Sequence, residues 1–452
     1  MKVASRSFEP AVPRAAGERL ADQVRARPYV VPLVVILVSF VIFPPEARLS
    51  VSGLNLPLYR LGTIAFLFWA LMTFARNRVR FGVVDALVLG CSAWIAISFF
   101  EVYGSARGTY SGVANWLDVA GAYLVARAAV RSPDDLRLVL RLIALPLLLS
   151  GLMLLVESLD GDLIVRPAAA RIFGTLPSYY GGVADGQLVL NREYRLGGFL
   201  RAFGVFSHPI LAGSILASSI PLYWFGGLER RYRLMGVAAG LLGFFSLSSA
   251  ALIAIALSIA LIAADFLRSR VRGASWWTVS TVAVLVAASL QLASQNGLIN
   301  VIIRNTFDPS TASYRLTIWK YGLLAVRENP WFGIGYEVYN RPRNQLPSAS
   351  VDAHFLALAL SSGIIAAYAL LAATIAAMLK LGFAVSAGRG RGRDRDLLFA
   401  VNAALVILFF ASMTVTFYNE ARVWFMVVIA LAASMGQLRA AARPSAPVPV
   451  PA

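Results

Sequence analysis

The stretch DAHFLALALSSGIIAAYALLAATIAAML, residues 352–379, decides the class of fold. After Asp352 and His354 it contains no charged residue. A helix needs only about 20 mostly apolar residues to cross a bilayer. Similar runs recur along the chain, which has 452 residues, 58% of them hydrophobic and only 14% charged. Soluble domains carry about 25% charged residues, so the composition predicts an integral membrane protein.

The apolar runs predict an all-α, polytopic fold with roughly a dozen transmembrane helices. The candidate spans are 28–43, 57–75, 83–100, 112–130, 136–157, 208–225, 234–247, 250–267, 275–292, 352–379, 397–417 and 421–438. The run 112–130 is the least regular, because it contains Asp118 and Arg127. The runs 234–247 and 250–267 fit either two helices joined by a tight turn or one longer feature.

Basic residues indicate the orientation of these spans. With residue 1 in the cytoplasm, every short inside loop is arginine-rich, which is the positive-inside pattern. The short outer loops hold only Arg48, Arg60, Arg107 and Arg422. Orientation also explains the formal net charge of +18, so a nucleic-acid partner is not predicted.

The same orientation divides the chain into three parts. Residues 1–27 form a basic cytoplasmic tail, with 1–25 expected to be disordered, and the first span is expected to be a retained signal anchor. Residues 28–438 form the transmembrane domain, and residues 439–452 form a disordered cytoplasmic tail.

Two long segments, 158–207 and 293–351, fall outside under this topology and are expected to be ordered. Their basic residues oppose the positive-inside bias and need another explanation. They are Arg166, Arg171, Arg192, Arg195 and Arg201 in the first, and Arg304, Arg315, Lys320, Arg327, Arg341 and Arg343 in the second. Arginine is suited to bidentate binding of phosphate, so a lipid diphosphate at the outer leaflet would match them. The alternative for any one of them is simple solvation of a surface or contact with anionic headgroups.

The second long segment contains a predicted helix at the membrane interface. Asp308-Pro309-Ser310-Thr311 is typical of a helix start, and Asn329-Pro330 is typical of a stop. Leu316, Trp319, Leu323 and Val326 form an apolar stripe at helical spacing, with aromatic residues around it. The turn 330–336 then returns the chain toward the bilayer.

The chain has two histidines, His208 and His354, and both fall at the predicted outer mouth. Histidine is the natural proton acceptor near neutral pH. A lone histidine at a helix mouth is more often a packing or hydrogen-bonding residue. The arginine-rich loop near His354, which follows Asp352, favours a catalytic role for it, whereas His208 precedes Pro209 and could instead orient the start of a helix. Two histidines cannot build a histidine-rich metal site, and no nucleotide-binding motif is present, so no cofactor is expected.

Several motifs together resemble those of the bacterial O-antigen ligase and O-antigen polymerase superfamily. They are Arg201-x-Phe-Gly-x-Phe-x-His-Pro, Tyr314-Arg315-x-x-x-x-Trp319, Asn329-Pro330-Trp331-Phe332-Gly333-Ile334-Gly335, and Asp352-Ala353-His354-Phe355-Leu356 followed by Gly363. The motifs cover about residues 195–365. One departure is the turn Ser248-Ser249-Ala250, where the family often has a Ser-Arg pair.

The resemblance implies a metal-independent, inverting glycosyltransferase in the bacterial inner membrane, with its active site facing the periplasm. The donor would be an undecaprenyl-diphosphate-linked glycan. The acceptor would be another glycan, for a polymerase, or lipid A core, for a ligase. His354 would act as general base or orient the acceptor, and Arg201 and Arg315 would hold the diphosphate. Arg304 and Lys320 would join them as diphosphate-binding residues, with His208 and Asp352 as secondary site residues.

Three hypotheses of function remain open from the sequence. The first is glycan transfer, with polymerase slightly preferred over ligase. The second is a polytopic transporter or lipid-glycan flippase, which predicts ionisable groups on spanning helices facing a midplane cavity. The third is a noncatalytic membrane scaffold, which gives His354 and the outer arginines no role.

Overall fold

A computed structural model describes residues 16–437 apart from 52–53, 77, 176–180, 185–186, 191, 271–308, 347–349 and 387–391. The described part is helical, with three two-stranded antiparallel hairpins. These pair β1 (Arg48–Val51) with β2 (Leu54–Pro57), β3 (Gly181–Ala184) with β4 (Gln187–Leu190), and β5 (Tyr194–Arg195) with β6 (Phe199–Leu200). The predicted all-α class therefore holds apart from these short ribbons.

The helices follow the apolar runs of the sequence. They are α1 (Ala16–Ala26), α2 (Val31–Ile42), α3 (Leu58–Ala75), α4 (Val83–Tyr103), α5 (Ser105–Trp116), α6 (Ala122–Ala129), α7 (Pro133–Asp160), α8 (Val165–Phe173), α9 (Pro209–Phe225), α10 (Arg230–Leu242), α11 (Ser249–Arg270), α12 (Pro309–Glu328), α13 (His354–Ser386), α14 (Arg393–Ser412) and α15 (Asn419–Met435). A single π-helical turn, Leu117–Gly121, joins α5 to α6.

Six described helices are long and apolar enough to cross a membrane: Leu58–Ala75, Val83–Tyr103, Pro133–Asp160, Ser249–Leu267, His354–Ser386 and Arg393–Ser412. A seventh is added if Leu20–Ala26 and Pro28–Ile42, which meet at 90°, count as one span. The protein is thus a multi-pass helical membrane protein. Each candidate span overlaps a described helix except 275–292, which lies outside the described residues, but the predicted count of a dozen is not confirmed.

Three local expectations have definite outcomes. The prediction of disorder for 1–25 is wrong for residues 16–25, which belong to α1. The runs 234–247 and 250–267 are two helices, separated by the 3-10 turn Gly243–Ser246 and by Leu247 in the left-handed conformation. The tail 439–452 lies outside the described residues.

Helix α15 is the centre of the bundle. Every residue from Val423 to Met435 is buried, and the helix packs against α6, α9, α13 and α14. A helix that is apolar on all sides is stable only when other helices surround it. Its one indole donor, Trp424 Nε1, donates to Ser218 Oγ on α9 at 2.9 Å, so the buried aromatic side chain keeps its hydrogen bond.

Helix α13 is interrupted at Gly363, and the turn 330–336 docks into the break. Gly363 has φ 82° and ψ 170°, a conformation open essentially to glycine alone. The Leu360 and Ser361 carbonyls accept hydrogen bonds from the Ile334 and Gly335 amides at 2.7 and 3.1 Å. Ile364 N–H donates to the Pro330 carbonyl at 2.8 Å. The turn thereby satisfies backbone groups that the interruption of the helix would leave unpaired.

Three buried carboxylates hold the segment between α7 and α9 against the bundle. Glu46 receives the Arg166 guanidinium, and both side chains are fully buried. Glu157 accepts the backbone amides of Ile164, Val165 and Gly204 at 2.8 to 3.0 Å. Glu420 accepts both the amide and the hydroxyl of Ser207, at 2.6 and 2.9 Å.

Helix α12 begins at Pro309 and ends at Glu328, within the limits predicted. Of the predicted apolar stripe, Val326 is buried and Trp319 packs against the core, whereas Leu316 and Leu323 are about half exposed. Ile318 and Ala325 are also buried. Gly322 lies so close to α13 that an added Cβ would be 2.9 Å from Leu356 Cδ2. The helix thus packs on α13 through small residues and leaves an apolar side uncovered, as an interfacial helix would.

We predict that Glu46→Ala lowers the free energy of unfolding by about 3–5 kcal/mol, because it leaves the Arg166 guanidinium buried without its counter-ion. The measurement is a reversible denaturation in mixed detergent micelles. The control is Arg192→Ala, whose pair with Asp162 is about half exposed and should cost at most about 1 kcal/mol. Equal effects of the two substitutions would contradict a stabilising role for the buried pair.

We also predict that Gly363→Ala releases the turn 330–336 from α13. The added Cβ would stand 1.7 Å from the Trp331 carbonyl oxygen, so one of the two backbones must move. Amide hydrogen exchange at Ile334, Gly335 and Ile364 should accelerate. The control on the same helix is Gly382→Ala, where the nearest atom to the new Cβ is 3.8 Å away. Unchanged protection at the three amides in the Gly363 variant would show that the turn does not depend on this glycine.

Candidate functional site

A cavity of about 490 Å³ lies where the first turns of α9, α13 and α15 meet the segments 334–339 and 350–352. Both histidines line it, together with Asp352 and Arg422. The cavity therefore collects chemistry-bearing residues that are far apart in the sequence.

His354 is the first residue of α13 and is only 2% exposed. Neither of its ring nitrogens has a hydrogen-bond partner among the described residues. The rings of Phe355, Phe417 and Phe425 surround it, with centroids 5.4 to 5.8 Å away. A buried imidazole without a partner is costly, so it needs an explanation. A group bound in the cavity would supply the missing hydrogen bond.

His208 has a structural contact that His354 lacks. Its Nδ1 accepts the Ile210 amide at 3.1 Å, which caps the first turn of α9. The side chain also lines the cavity, with the Tyr418 ring edge-on at 6.4 Å. The expectation that this histidine could orient the start of a helix therefore agrees with its geometry.

Arg201 and Arg315 lie beside the cavity but are not among its lining residues. Arg201 is 6% exposed and donates from Nη1 to Glu193 Oε2 at 2.8 Å. Arg315 lies on α12, and its Nε is buried without a hydrogen-bond partner among the described residues.

The charges of the groups beside the cavity act on one another. Burial lowers the pKa of Arg315, while the Asp352 carboxylate opposes that shift and the Arg201 charge adds to it. Arg201 is also close enough to His208 for its charge to act on the imidazole. These four side chains, Arg315, Asp352, Arg201 and His208, therefore form one neighbourhood beside the cavity.

The two remaining predicted diphosphate ligands are Lys320 and Arg304. Lys320 is exposed, and its ammonium lies 5.5 Å from the centroid of the Tyr321 ring. It does not line the cavity. Arg304 lies outside the described residues.

Most of the other outer arginines that the structure describes have protein partners. Arg166 is fully buried against Glu46. The phosphate-binding role considered for the outer arginines is therefore wrong for Arg166. Arg192 pairs with Asp162 at 2.8 Å, and Arg195 donates to the Leu247 carbonyl at 3.0 Å. The Leu247 contact is at the turn where the chain lacks the family's Ser-Arg pair. Arg171, Arg327 and Arg343 are exposed.

Arg422 is a cavity residue that the sequence analysis did not select. Its Nε donates to the Phe417 carbonyl at 3.3 Å and its Nη1 donates to Asn115 Oδ1. Asn115 Nδ2 donates in turn to the Tyr336 hydroxyl at 2.6 Å. One guanidinium thus connects α15, α5 and the docked turn, and it holds the residue whose ring packs on His354. The sequence feature that could have identified Arg422 is its position in a predicted short outer loop, where the positive-inside pattern disfavours basic residues.

Comparison with protein-family models matches residues 234–371 to the family described as O-antigen ligase. The matched part runs from α10 into α13 and includes Arg315, the turn 330–336, Asp352 and His354. Arg201 and His208 precede it. The resemblance to the O-antigen ligase and polymerase superfamily is confirmed by this match. A search of curated proteins finds no match to the chain.

Proposed function

We propose that this protein transfers a glycan from an undecaprenyl-diphosphate donor to an acceptor hydroxyl during synthesis of a bacterial surface polysaccharide. The family match supports a role in glycan transfer. The observation that carries the proposal is His354, a buried imidazole that lines a cavity and has no hydrogen-bond partner among the described residues. The proposed place is the inner membrane, with the cavity facing the periplasm.

In the proposed reaction, an imidazole nitrogen of His354 accepts the proton of the acceptor hydroxyl. The oxygen attacks the anomeric carbon, and the bond from that carbon to the diphosphate oxygen breaks. The electron pair leaves with undecaprenyl diphosphate, so a single displacement inverts the anomeric centre. A well-placed base contributes about 10²–10⁴-fold to such a step. No metal and no nucleotide takes part.

Arg315 and Arg201 are the proposed partners of the leaving diphosphate. Negative charge accumulates there as the glycosidic bond breaks, and fixed cations at such a position are worth about 10²–10³-fold each. The partnerless Nε of Arg315 supports this role, because a phosphate oxygen would satisfy it. Asp352, which receives the Ser350 hydroxyl at 3.2 Å, would keep Arg315 oriented. Lys320, which does not line the cavity, would contact the diphosphate only where it extends beyond the cavity, and Arg304 remains a proposed ligand from the sequence.

The acceptor separates the two forms of this reaction. A polymerase, our first choice, would use a second lipid-linked glycan, and a ligase would use lipid A core. The matched family is described as O-antigen ligase, which keeps the ligase as the second candidate. Both forms use the same base and the same leaving group.

A transporter or flippase is expected to have ionisable groups on spanning helices that face a midplane cavity. Four of the charges that the structure describes in the bundle form two compensated ion pairs instead. Arg60 donates two hydrogen bonds to Asp118, at 2.7 and 2.6 Å, and Arg127 donates to Asp85 at 2.8 Å. Such compensated pairs support a structural role for these charges, which favours transfer over transport.

The test uses purified protein in detergent with an undecaprenyl-diphosphate oligosaccharide from the native host, EDTA and no ATP, with and without lipid A core. A product ladder from donor alone would identify a polymerase, and product only with lipid A core would identify a ligase. His354→Ala should lower the rate about 10²–10⁴-fold. Tyr368→Ala, at an exposed site on the same helix, is the control. Absence of product from folded wild-type protein would favour the transporter, and undiminished transfer by the His354 variant would exclude the base role.

A second prediction concerns Arg422. Arg422→Lys keeps the charge but cannot reach both the Phe417 carbonyl and Asn115, because only guanidinium has a planar fork of donors. We expect kcat to fall about 10–10²-fold, with a smaller change in KM, because Phe417, whose ring packs on His354, would be displaced. The control is Arg107→Lys, since Arg107 pairs with Glu337 at an exposed position. If both variants keep the wild-type kcat, the Arg422 network has no role in positioning.

A further inference from the structure

A second cavity, of about 190 Å³, lies at the opposite end of α15 from His354. Its lining includes four arginines, Arg78, Arg80, Arg127 and Arg131, together with Ser434 and Gln437 near the end of α15. Ser434 is twelve positions beyond Arg422, which corresponds to roughly 20 Å along a helix axis. None of these residues has a part in the proposed transfer reaction. We call this cavity the basic pocket.

Arg127 forms the floor of the basic pocket and is fully engaged by the protein. It is 2% exposed, and its guanidinium donates to Asp85, to Ser434 Oγ and to the Arg80 carbonyl. Asp85 also accepts the Tyr123 hydroxyl and the Gly82 amide. The Asp85 carboxylate, which contacts Arg127, is therefore already neutralised and accepts several hydrogen bonds.

The other arginines bring positive charge to the pocket without a matching carboxylate. Arg78 and Arg80 are exposed, and no ion pair joins either of them to a residue in the described part of the chain. Arg131 donates from Nε to the Ala128 carbonyl at 2.8 Å, and its guanidinium lies 4.5 Å from the Tyr29 ring centroid. Burial lowers the pKa of Arg131, and the neighbouring Arg78 lowers it further, whereas Tyr29 and Asp135 raise it.

Asp135, the remaining acid near Arg131, is committed elsewhere. It is buried and accepts the Tyr29 hydroxyl together with the amides of Arg131 and Ser132. The positive-inside pattern accounts for basic residues in the loops that carry Arg78, Arg80 and Arg131. It does not explain why these residues line a cavity. An anion would reduce the repulsion between Arg78 and Arg131 and accept hydrogen bonds from their guanidinium groups.

Apolar side chains at the rim indicate where such an anion comes from. Phe81 and Val83, which follow Arg80, are 61% and 69% exposed. Large exposed apolar side chains at the end of a spanning helix are in contact with acyl chains in a bilayer. A basic pocket next to such a surface has the features that select anionic phospholipids.

We propose that the basic pocket binds the phosphate group of an anionic phospholipid, with Arg78, Arg80 and Arg131 as its partners. The phosphate links the loop before α4 to the loop before α7. The bound lipid therefore stabilises the end of the bundle opposite the catalytic cavity.

The test measures unfolding temperature for delipidated full-length protein in neutral detergent. The probes are phosphatidylglycerol, phosphatidylcholine and inorganic phosphate, added separately. Phosphatidylglycerol at saturation should raise the midpoint by about 2–4 °C, because a ligand that binds only the folded protein stabilises it. Phosphatidylcholine should give little shift. An equal shift from the two lipids would overturn the proposal, and an equal shift from inorganic phosphate alone would overturn the lipid as its source.

The variant is Arg78→Gln/Arg80→Gln, because both side chains are exposed and no ion pair joins either of them to a described residue. Its midpoint without lipid should be no lower than that of wild type, because the change removes the repulsion with Arg131. Native mass spectrometry should show at least tenfold weaker binding of phosphatidylglycerol. The control is Arg76→Gln/Arg230→Gln, which removes the same charge from exposed sites outside the pocket. Equal weakening in both variants would reduce the effect to general charge attraction and overturn the proposal.

Discussion

The structure depends on buried carboxylates that fix the long segment between α7 and α9. Glu46, Glu157 and Glu420 come from three separate parts of the chain, and each accepts hydrogen bonds from this one segment. A carboxylate away from water is costly unless it is paired and hydrogen-bonded, so each of them holds its partners firmly. Because Arg201 and His208 belong to the same segment, their positions beside the cavity follow from these contacts.

The part of the cavity wall that residues 334–339 form depends on the interruption of α13 at Gly363. The break at Gly363 exposes backbone groups of α13, and the turn 330–336 pairs with them. This docking brings Tyr336 to Asn115 and therefore to the Arg422 guanidinium. Irregular backbone is tolerated within a membrane protein only where other groups satisfy it, and here that requirement also builds a wall of the site.

The described arginines have different uses, and the surroundings of each guanidinium decide which one applies. Arg60 and Arg127 neutralise carboxylates within the helical bundle, and Arg166 fastens a loop. Arg315 differs from them because its Nε is buried and has no partner among the described residues. In a low-dielectric interior, such a donor favours an anion from outside the chain, which is the basis for assigning it to the diphosphate.

The sequence by itself determined the membrane class, the positions of the helices, the ends of α12 and the motifs that carry the family resemblance. These follow from hydrophobicity and turn chemistry over a few neighbouring residues. It failed for residues 16–25, which belong to α1 and not to a disordered tail. Only the tertiary structure showed that Arg166 pairs with Glu46, 120 positions away, and that Arg422 reaches Asn115, 307 positions away. The partner of a charge depends on which helices pack together, and no local pattern encodes that choice.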